Sequence, residues 1–538
     1  MFHATFPFLT ILLAVASQAA PGADVVSIGS RRELFVDDAL IERLSGSAEL
    51  RLQRPAPQEI VIRHDAPWEG AGTGYHSLFR DGARFRMYYK AWQLDLAPNG
   101  RMRTTNPGFL CLAESDDGIA WRKPDLGLVE FNGSTQNNIV LRSGPIGGAE
   151  IDAAHVAVFR DENPAAPADS RYKAMAWIRR PNTGLRGLAG LKSADGLHWS
   201  LIGTGPLLTA GDFDSQNVAF WDGARGEYRA YWRSTHFSAG GEFPVSSRTI
   251  RTATSKDFLH WSEPSDLEYV DSPPEQLYTN AIKPYYRAPH LLIGFPARYL
   301  ERGRENLLRD ATIAPAPENS GWSDAMRALP DWEHRQLRAK GQVRYGAGLT
   351  EGLLMASRDG VLFKRWPEAF LRPGYERSGS WNYGNQFIGW HLLETPSAFA
   401  GMPPEISLYA VEGYWTGPGG SALRRYTLRL DGFVSVAAPM RGGELVTKPF
   451  HFTGGELVLN FATSAAGAVR VEIQDPNGRA ISGFSLNECP PLYGDSVERK
   501  VSWVKGRATS GDVSSMRGRP VRLRFVLQDA DLYAFQFR

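Results

Sequence analysis

One short pattern, Ser-x-Asp-Gly-x-x-Trp, returns four times and constrains the fold of this chain more than any other feature. The copies are Ser115, Asp117, Gly118 and Trp121; Ser193, Asp195, Gly196 and Trp199; Ser255, Asp257 and Trp261, with Phe258 in the glycine position; and Ser357, Asp359 and Gly360, with Phe363 in the tryptophan position. The intervals between copies suit the blades of a β-propeller rather than single hairpins. Asp followed by Gly supplies a turn, because Asp bonds nearby backbone and Gly accepts positive φ; the aromatic three residues later plugs the gap between neighbouring sheets. This chemistry is structural, not catalytic.

Upstream of each copy lies a hairpin signature: an apolar strand, a polar turn, then an alternating strand rich in Arg and Tyr, as in Leu78-Phe79-Arg80-Asp81-Gly82 followed by Phe85-Arg86-Met87-Tyr88-Tyr89. The signature returns over Val156 to Trp177, Val218 to Trp232 and Ile282 to Tyr299. Hairpin plus motif places blades at about 68–123, 150–200, 212–262 and 278–366, and the alternating run Leu423 to Phe433 ends a fifth at 383–433. The early segment Glu33 to Leu52 is expected to close the ring, leaving no exposed sheet edge. Residues 300–345 interrupt blade four with charge and helix formers such as Asp331 to Lys340, and read as a lid-like insertion. The last stretch changes texture to short alternating strands between Gly, Pro and Asn turns, such as Val469 to Ile473 and Val521 to Phe525, the pattern of a β-sandwich. The expected organisation is all-β: a signal peptide at 1–20, a five-bladed propeller over 31–435 and a sandwich over 440–538.

A chain of 538 residues exceeds one ordinary core, in keeping with two domains. The apolar run Phe6 to Ala16 is too short to span a bilayer and precedes small residues that suit signal cleavage, so the protein is expected to be secreted or periplasmic, with no membrane association after cleavage. Cys111 and Cys489 fall in different domains, which leaves no disulfide framework. A net charge of +2, with no basic stripe or P-loop, argues against a nucleic-acid partner. No HExxH, CxxC or EF-hand spacing occurs, so neither a catalytic metal nor another cofactor is expected.

Through RELFVDDALIE near its start, PWEG before blade one, DSQNVAFWD in blade three, SRDG followed by EAFLRPG, and LRLDGF at the end of the ring, the chain resembles the five-bladed propeller glycoside hydrolases. It is most similar to bacterial relatives of families 32 and 43, many of which append a C-terminal sandwich. The run NDPNG itself, the nucleophile motif of the invertases, is absent. The resemblance implies a carbohydrate substrate, and structural calcium occurs in the channel of several such propellers. Glycoside hydrolysis generally uses two carboxylates, one protonated and one ionised. The acidic residues at the starts of the first strands are Glu69, Asp152, Asp214 and Glu351, and these are the candidate catalytic groups. By position the resemblance would give Glu69 the base's place, Asp152 the orienting one and Asp214 the acid's. His76, His155, Gln216, Asn217 and Asn280 are candidate sugar-binding groups on the same ring, and Trp68, Trp92, Trp381 and Tyr383 are candidate stacking platforms.

The expected function is an exo-acting hydrolase of a plant or algal poly- or oligosaccharide. A non-catalytic carbohydrate-binding propeller of the cell surface is the alternative, since Glu in the first place and Asp in the third depart from the family's residue types. Sialidase-like chemistry, suggested by the repeated Ser-x-Asp-Gly motif, would need three Arg, a Tyr nucleophile and one blade more.

Overall fold

The computed structural model describes residues 25–237, 246–273, 275–302, 322–415 and 420–538. The export segment at 1–20 and much of the 300–345 insertion lie outside these residues.

Five sheets, antiparallel except where Glu268–Val270 runs parallel to Leu362–Arg365 at the edge of the fourth, follow one another along the chain as blades. Blade one runs from Gly74–Asp81 outward through Arg84–Ala91 and Phe109–Ser115 to Trp121–Arg122. Blades two and three repeat that order from Ala157–Arg160 and Val218–Asp222, and blade four from Lys283–Tyr285. In blade five the innermost run joins the next strand through Gln386 N–H to Val411 O and Gly389 N–H to Tyr409 O. Inner strands of successive blades touch in parallel: Ser77 bridges Trp390, and Val156 bridges Asn217. The sheets are therefore arranged round one axis, with Phe159, Phe220 and Trp390 packed between the blades.

Each motif copy is the turn between a blade's third and fourth strands. In the second copy the Asp195 carboxylate accepts the N–H groups of Leu197 and His198 at 2.8 and 2.9 Å, Ser193 Oγ accepts from Gly196 N–H, and Trp199 Nε1–H donates to Gly196 O. Two short polar side chains thus satisfy the turn's backbone donors, which is why Ser and Asp recur there.

Ring closure differs from the sequence expectation. The strand that completes blade five is Ala56–Arg63, paired with Ala422–Leu428. Glu33 to Leu52 instead belongs to the C-terminal sheet: Arg32–Leu34 pairs with the last strand, Ile41–Gly46 with Gly443–Thr447, and Glu49–Leu52 with Val434–Ala438. The sandwich is a single sheet bent on two long strands, Leu457–Gln474 and Arg522–Phe537, which enclose an apolar core containing Leu445, Phe461, Val471 and Phe525. Cys111 is buried in blade one and Cys489 in the sandwich, both as free thiols. Among the described residues no helix is long and apolar enough to cross a membrane.

The described part of the insertion forms helices Asp324–Ala328, Trp332–Gly341 and Val343–Ala347. Arg338, fully buried, donates to Asn382 Oδ1 and to Trp415 O, and Tyr345 packs edge-on against Trp415 with ring centres 4.6 Å apart. These contacts place the helices against blade five, beside the ends from which the inner strands start.

Candidate functional site

Each inner strand is the edge of its own blade, so backbone carbonyls at its start lack a full neighbouring strand to bond them, and buried carbonyls need partners. Three of the predicted sugar ligands meet that need. Gln216 donates to His76 O at 3.2 Å, Asn217 to Phe213 O at 3.0 Å and to His155 O, and Asn280 to Tyr231 O. All three are buried and act as stitches between blades.

Glu69 and His76 also lie inside the protein. Glu69 is 1% exposed and accepts from Tyr89 OH at 2.6 Å, Lys123 Nζ at 2.7 Å and Ala66 N–H at 2.9 Å; burial raises its pKa. His76 is 1% exposed, lies 3.2 Å from His64 through the two Nε2 atoms and stacks on Tyr89, and burial pushes its pKa down to about 3. Together they form the polar interior of blade one, an arrangement that leaves the Glu69 carboxylate fully engaged. Glu351 is bound by Arg298 at 2.6 Å and, with Trp381, lines a cavity of about 440 Å³ between blade four and the helices.

Asp152 and Asp214 come from neighbouring blades and act electrostatically on the same ammonium, that of Lys90. Asp152 precedes a single helical turn, Ala153–His155; one carboxylate oxygen accepts from Ala154 N–H at 2.8 Å and the other meets His155 Nδ1 at 2.6 Å. Burial would raise its pKa, but the charge and hydrogen bond of His155, the Ala154 N–H and Lys90 outweigh burial and hold the carboxyl below its ordinary range. Asp214, whose side chain is 72% exposed at the rim, pairs with Arg233. Both carboxylates act on the ammonium of Lys90, a residue 2% exposed in the second strand of blade one. Burial pushes the Lys90 pKa down to about 7, against the pull of Asp152 and Asp214. Its Nζ donates to Tyr414 OH at 3.2 Å and lies 4.3 Å from the ring centre of Tyr75 and 4.9 Å from that of Trp92.

Aromatic side chains wall this mouth. Tyr383 OH donates to Tyr278 OH at 2.7 Å, Tyr75 and Tyr278 both stack on Phe387, and Trp92 meets His155 edge-on. Arg233 lies over the Tyr278 ring. Trp92 and Tyr383, half-buried here, are available as platforms, whereas Trp68 is tied to Asn138. Lys90, Tyr75, Arg233, Tyr278 and Tyr414 are absent from the sequence reading. The one local signal was a lysine beyond the two arginines of the strand Arg84–Ala91, flanked by Tyr88, Tyr89 and Ala91.

A second and larger cavity, about 1150 Å³, opens at the other end of the ring, where the inner strands finish; it shares no lining residue with the mouth. Volume alone would favour it as the reactive site, but its two lining carboxylates, Glu162 and Glu394, share no hydrogen-bond or ion-pair partner among the described residues. Among the described residues no group of three or more His, Cys, Asp or Glu side chains is placed to hold a metal ion.

No family model matches the chain. No curated protein matches it either. Solved structures are similar at low identity. A family 43 arabinoxylan arabinofuranohydrolase from Bacillus subtilis is 12% identical, with 88% of this chain and 96% of that one covered and a TM-score of 0.38. A family 117 glycoside hydrolase from Zobellia galactanivorans is 8% identical, covering 71% and 90%, with a TM-score of 0.34. An N-acetylgalactosamine deacetylase from F. plautii is 11% identical, covering 70% and 94%, with a TM-score of 0.37. Hydrolases and a deacetylase stand side by side at this level of likeness, so the chemistry of the mouth has to be read from its own residues.

Proposed function

We propose that the protein is an exported glycoside hydrolase whose active site is the mouth of the propeller, with Asp152 and Asp214 as its carboxylate pair. The observation that carries this reading is that the partners of the two carboxylates, His155 for Asp152 and Arg233 for Asp214, share one aromatic wall, Tyr75 and Tyr278 stacked on Phe387, with both carboxylates acting at a distance on the buried ammonium of Lys90. Asp152 is the ionised member, acting as base or nucleophile. His155, oriented through Nδ1 by Asp152, presents Nε2 as the proton-transferring atom. Trp92 and Tyr383 offer faces on which a sugar ring stacks. The helices of the insertion wall the blade-five side of the mouth, which favours release of terminal sugars.

The test is turnover on a panel of plant and algal oligosaccharides, followed by Asp152→Asn and Asp214→Asn on whichever substrate is cleaved. Asn at 152 retains an acceptor for Ala154 N–H, so folding should be preserved. Each change should lower kcat by roughly 10²- to 10⁴-fold with Tm unchanged. Turnover that survives both substitutions would refute the assignment.

One observation favours a second reading, a non-catalytic carbohydrate-binding protein. Asp214 is committed to Arg233, and the carboxylate whose pKa is raised, Glu69, is buried away from the rim. Binding of glycans without release of reducing ends from any of them would establish that reading instead.

A further inference from the structure

The 1150 Å³ cavity at the far end of the ring receives side chains from all five blades, among them Phe79, Arg160, Trp221, Lys283 and His391. Lys283, half-buried in the lining, has its Nζ 3.1 Å from His391 Nδ1. An ammonium only donates, so Nδ1 accepts; burial and the Lys283 charge hold the His391 pKa well below its ordinary value, which keeps that lone pair available. The Nε2 edge, on the other side of the ring, is buried and takes no part. Among the described residues no carboxylate stands within ion-pair distance of Lys283, and Glu162, an exposed residue of the cavity rim, acts on it only at a distance. Three N–H donors of the ammonium thus meet one protein acceptor, and burial pushes the Lys283 pKa down to about 8. At pH 7 that leaves roughly a tenth of the side chain as free amine, against less than about one part in a thousand for an ordinary lysine.

We propose that Lys283 is a carbonyl-binding residue, and that the cavity takes an uncharged aldehyde or ketone with an apolar body and holds it as an imine on Nζ. The lone pair of the free amine attacks the carbonyl carbon, the carbonyl oxygen is protonated, and water leaves as the C=N bond forms. Written from the ammonium, Lys–NH3+ and R–CHO give Lys–NH+=CH–R and H2O, so atoms and charge balance with no further reactant. The protonated imine carries a single N–H, for which His391 Nδ1 supplies a single acceptor, so donors and acceptors now match in number. Phe79, Trp221, Ile293 and Phe295 wall the cavity with apolar surface, which suits a hydrocarbon or aromatic body. Glu162 and Glu394 in the same lining oppose an anionic carbonyl compound. Nothing in this site depends on the activity proposed for the mouth.

The experiment treats the full chain at neutral pH with benzaldehyde or glyoxylate in the presence of cyanoborohydride, which reduces an imine to a stable amine, and maps the modified lysines by peptide mass spectrometry. With benzaldehyde, Lys283 should be modified at least about tenfold faster than the exposed Lys256. Lys90 is the internal control for access, because its pKa is lowered as well but it is 2% exposed and enclosed by Tyr75 and Trp92. With glyoxylate the lead of Lys283 over Lys256 should shrink by at least about tenfold, and Glu162→Gln at the exposed rim should restore at least about threefold of it. Lys283→Arg, which keeps the charge, should abolish the main adduct and leave the pattern at the other lysines unchanged. The proposal is overturned if Lys256 or Lys90 is modified by benzaldehyde as fast as Lys283, if the lead of Lys283 is the same with glyoxylate, if Glu162→Gln leaves the glyoxylate pattern unaltered, or if the main adduct persists in Lys283→Arg.

Discussion

Phe258 stands where three sister copies of the repeat carry glycine, and it keeps the glycine's backbone conformation, φ +68° beside +76°, +81° and +86°. In those copies a tyrosine of the adjoining blade donates to the glycine carbonyl: Tyr409 to Gly118, Tyr88 to Gly196 and Tyr231 to Gly360. A Cβ at Gly196 would come within 2.3 Å of Tyr88 OH, so tyrosine and glycine require each other. Met175 holds the corresponding register position in blade two, with no hydroxyl, and the ring of Phe258 is buried against Phe159 and Tyr228 instead. Left-handed backbone strain on a non-glycine residue costs about 1–2 kcal/mol, whereas deleting a buried Phe ring costs about 3–5. Burial wins, so Phe258→Gly should destabilise the protein by about 2–3 kcal/mol in denaturant titration. Adding Met175→Tyr should recover part of that loss. A stabilised single variant would show that strain dominates.

Lys90 poses the opposite conflict, between stability and site chemistry. Its folded pKa of about 7 lies below the ordinary 10.5, so the folded state disfavours the charged form. The unfolded chain therefore binds more protons between these values, and stability rises with pH across that window. Lys90→Met should raise the unfolding free energy at pH 6 to 7 by an amount on the order of a few kcal/mol in denaturant titration, and the gain should fade as pH approaches 10.5. The same variant should lose turnover at the mouth. A gain that is constant with pH would mean that the ammonium carries no burial penalty.

At the scale of elements, the motif turns made the blades legible, because Ser, Asp and Trp satisfy the turn locally and so must recur within a few residues. Ring closure was not legible for the same reason: nothing within Ala56–Arg63 or Glu49–Leu52 states which distant strand each will pair with. Glu49–Leu52 alternates, but a period of two identifies a strand without naming its partner, and Ala56–Arg63, with Ile60, Val61 and Ile62 in succession, lacks even that period. The candidate site divides similarly. Asp152 and Asp214 stand out in the sequence because acidic residues at strand starts are conspicuous. Gln216, Asn217 and Asn280 were read as sugar ligands because residue type does not show that the nearest unpaired carbonyl belongs to the next blade. Lys90 and Arg233 sit within second strands, whose other members serve the core, and only the three-dimensional arrangement turns them toward the mouth.

For the whole molecule, the boundary drawn near residue 435 separates strands that the structure joins. Asp431, fully buried, accepts from Arg32 at 3.0 Å, Tyr285 OH at 2.8 Å, Arg287 at 2.9 Å and Asn460 at 3.0 Å, which ties the N-terminal strands, blade four and the sandwich to one carboxylate. Glu33 adds a second tie, to Arg358 at 3.0 Å and His290 at 3.3 Å. The apolar cluster that fills the propeller also takes in Leu34 and Val36 from the N-terminal side and Ala534 from the last strand. Cutting the chain at 435 would expose this seam and leave Arg32–Leu34, Ile41–Gly46 and Glu49–Leu52 without the strands they pair with, or with only part of them. Exposed apolar surface and unpaired strand edges of that kind promote aggregation. A fragment of residues 25–435 should therefore be recovered mainly as aggregate, and the full chain should melt in one cooperative transition by calorimetry. Two separate transitions, or a soluble fragment with the Tm of the intact protein, would show instead that the ring folds independently and that the shared strands only dock onto it.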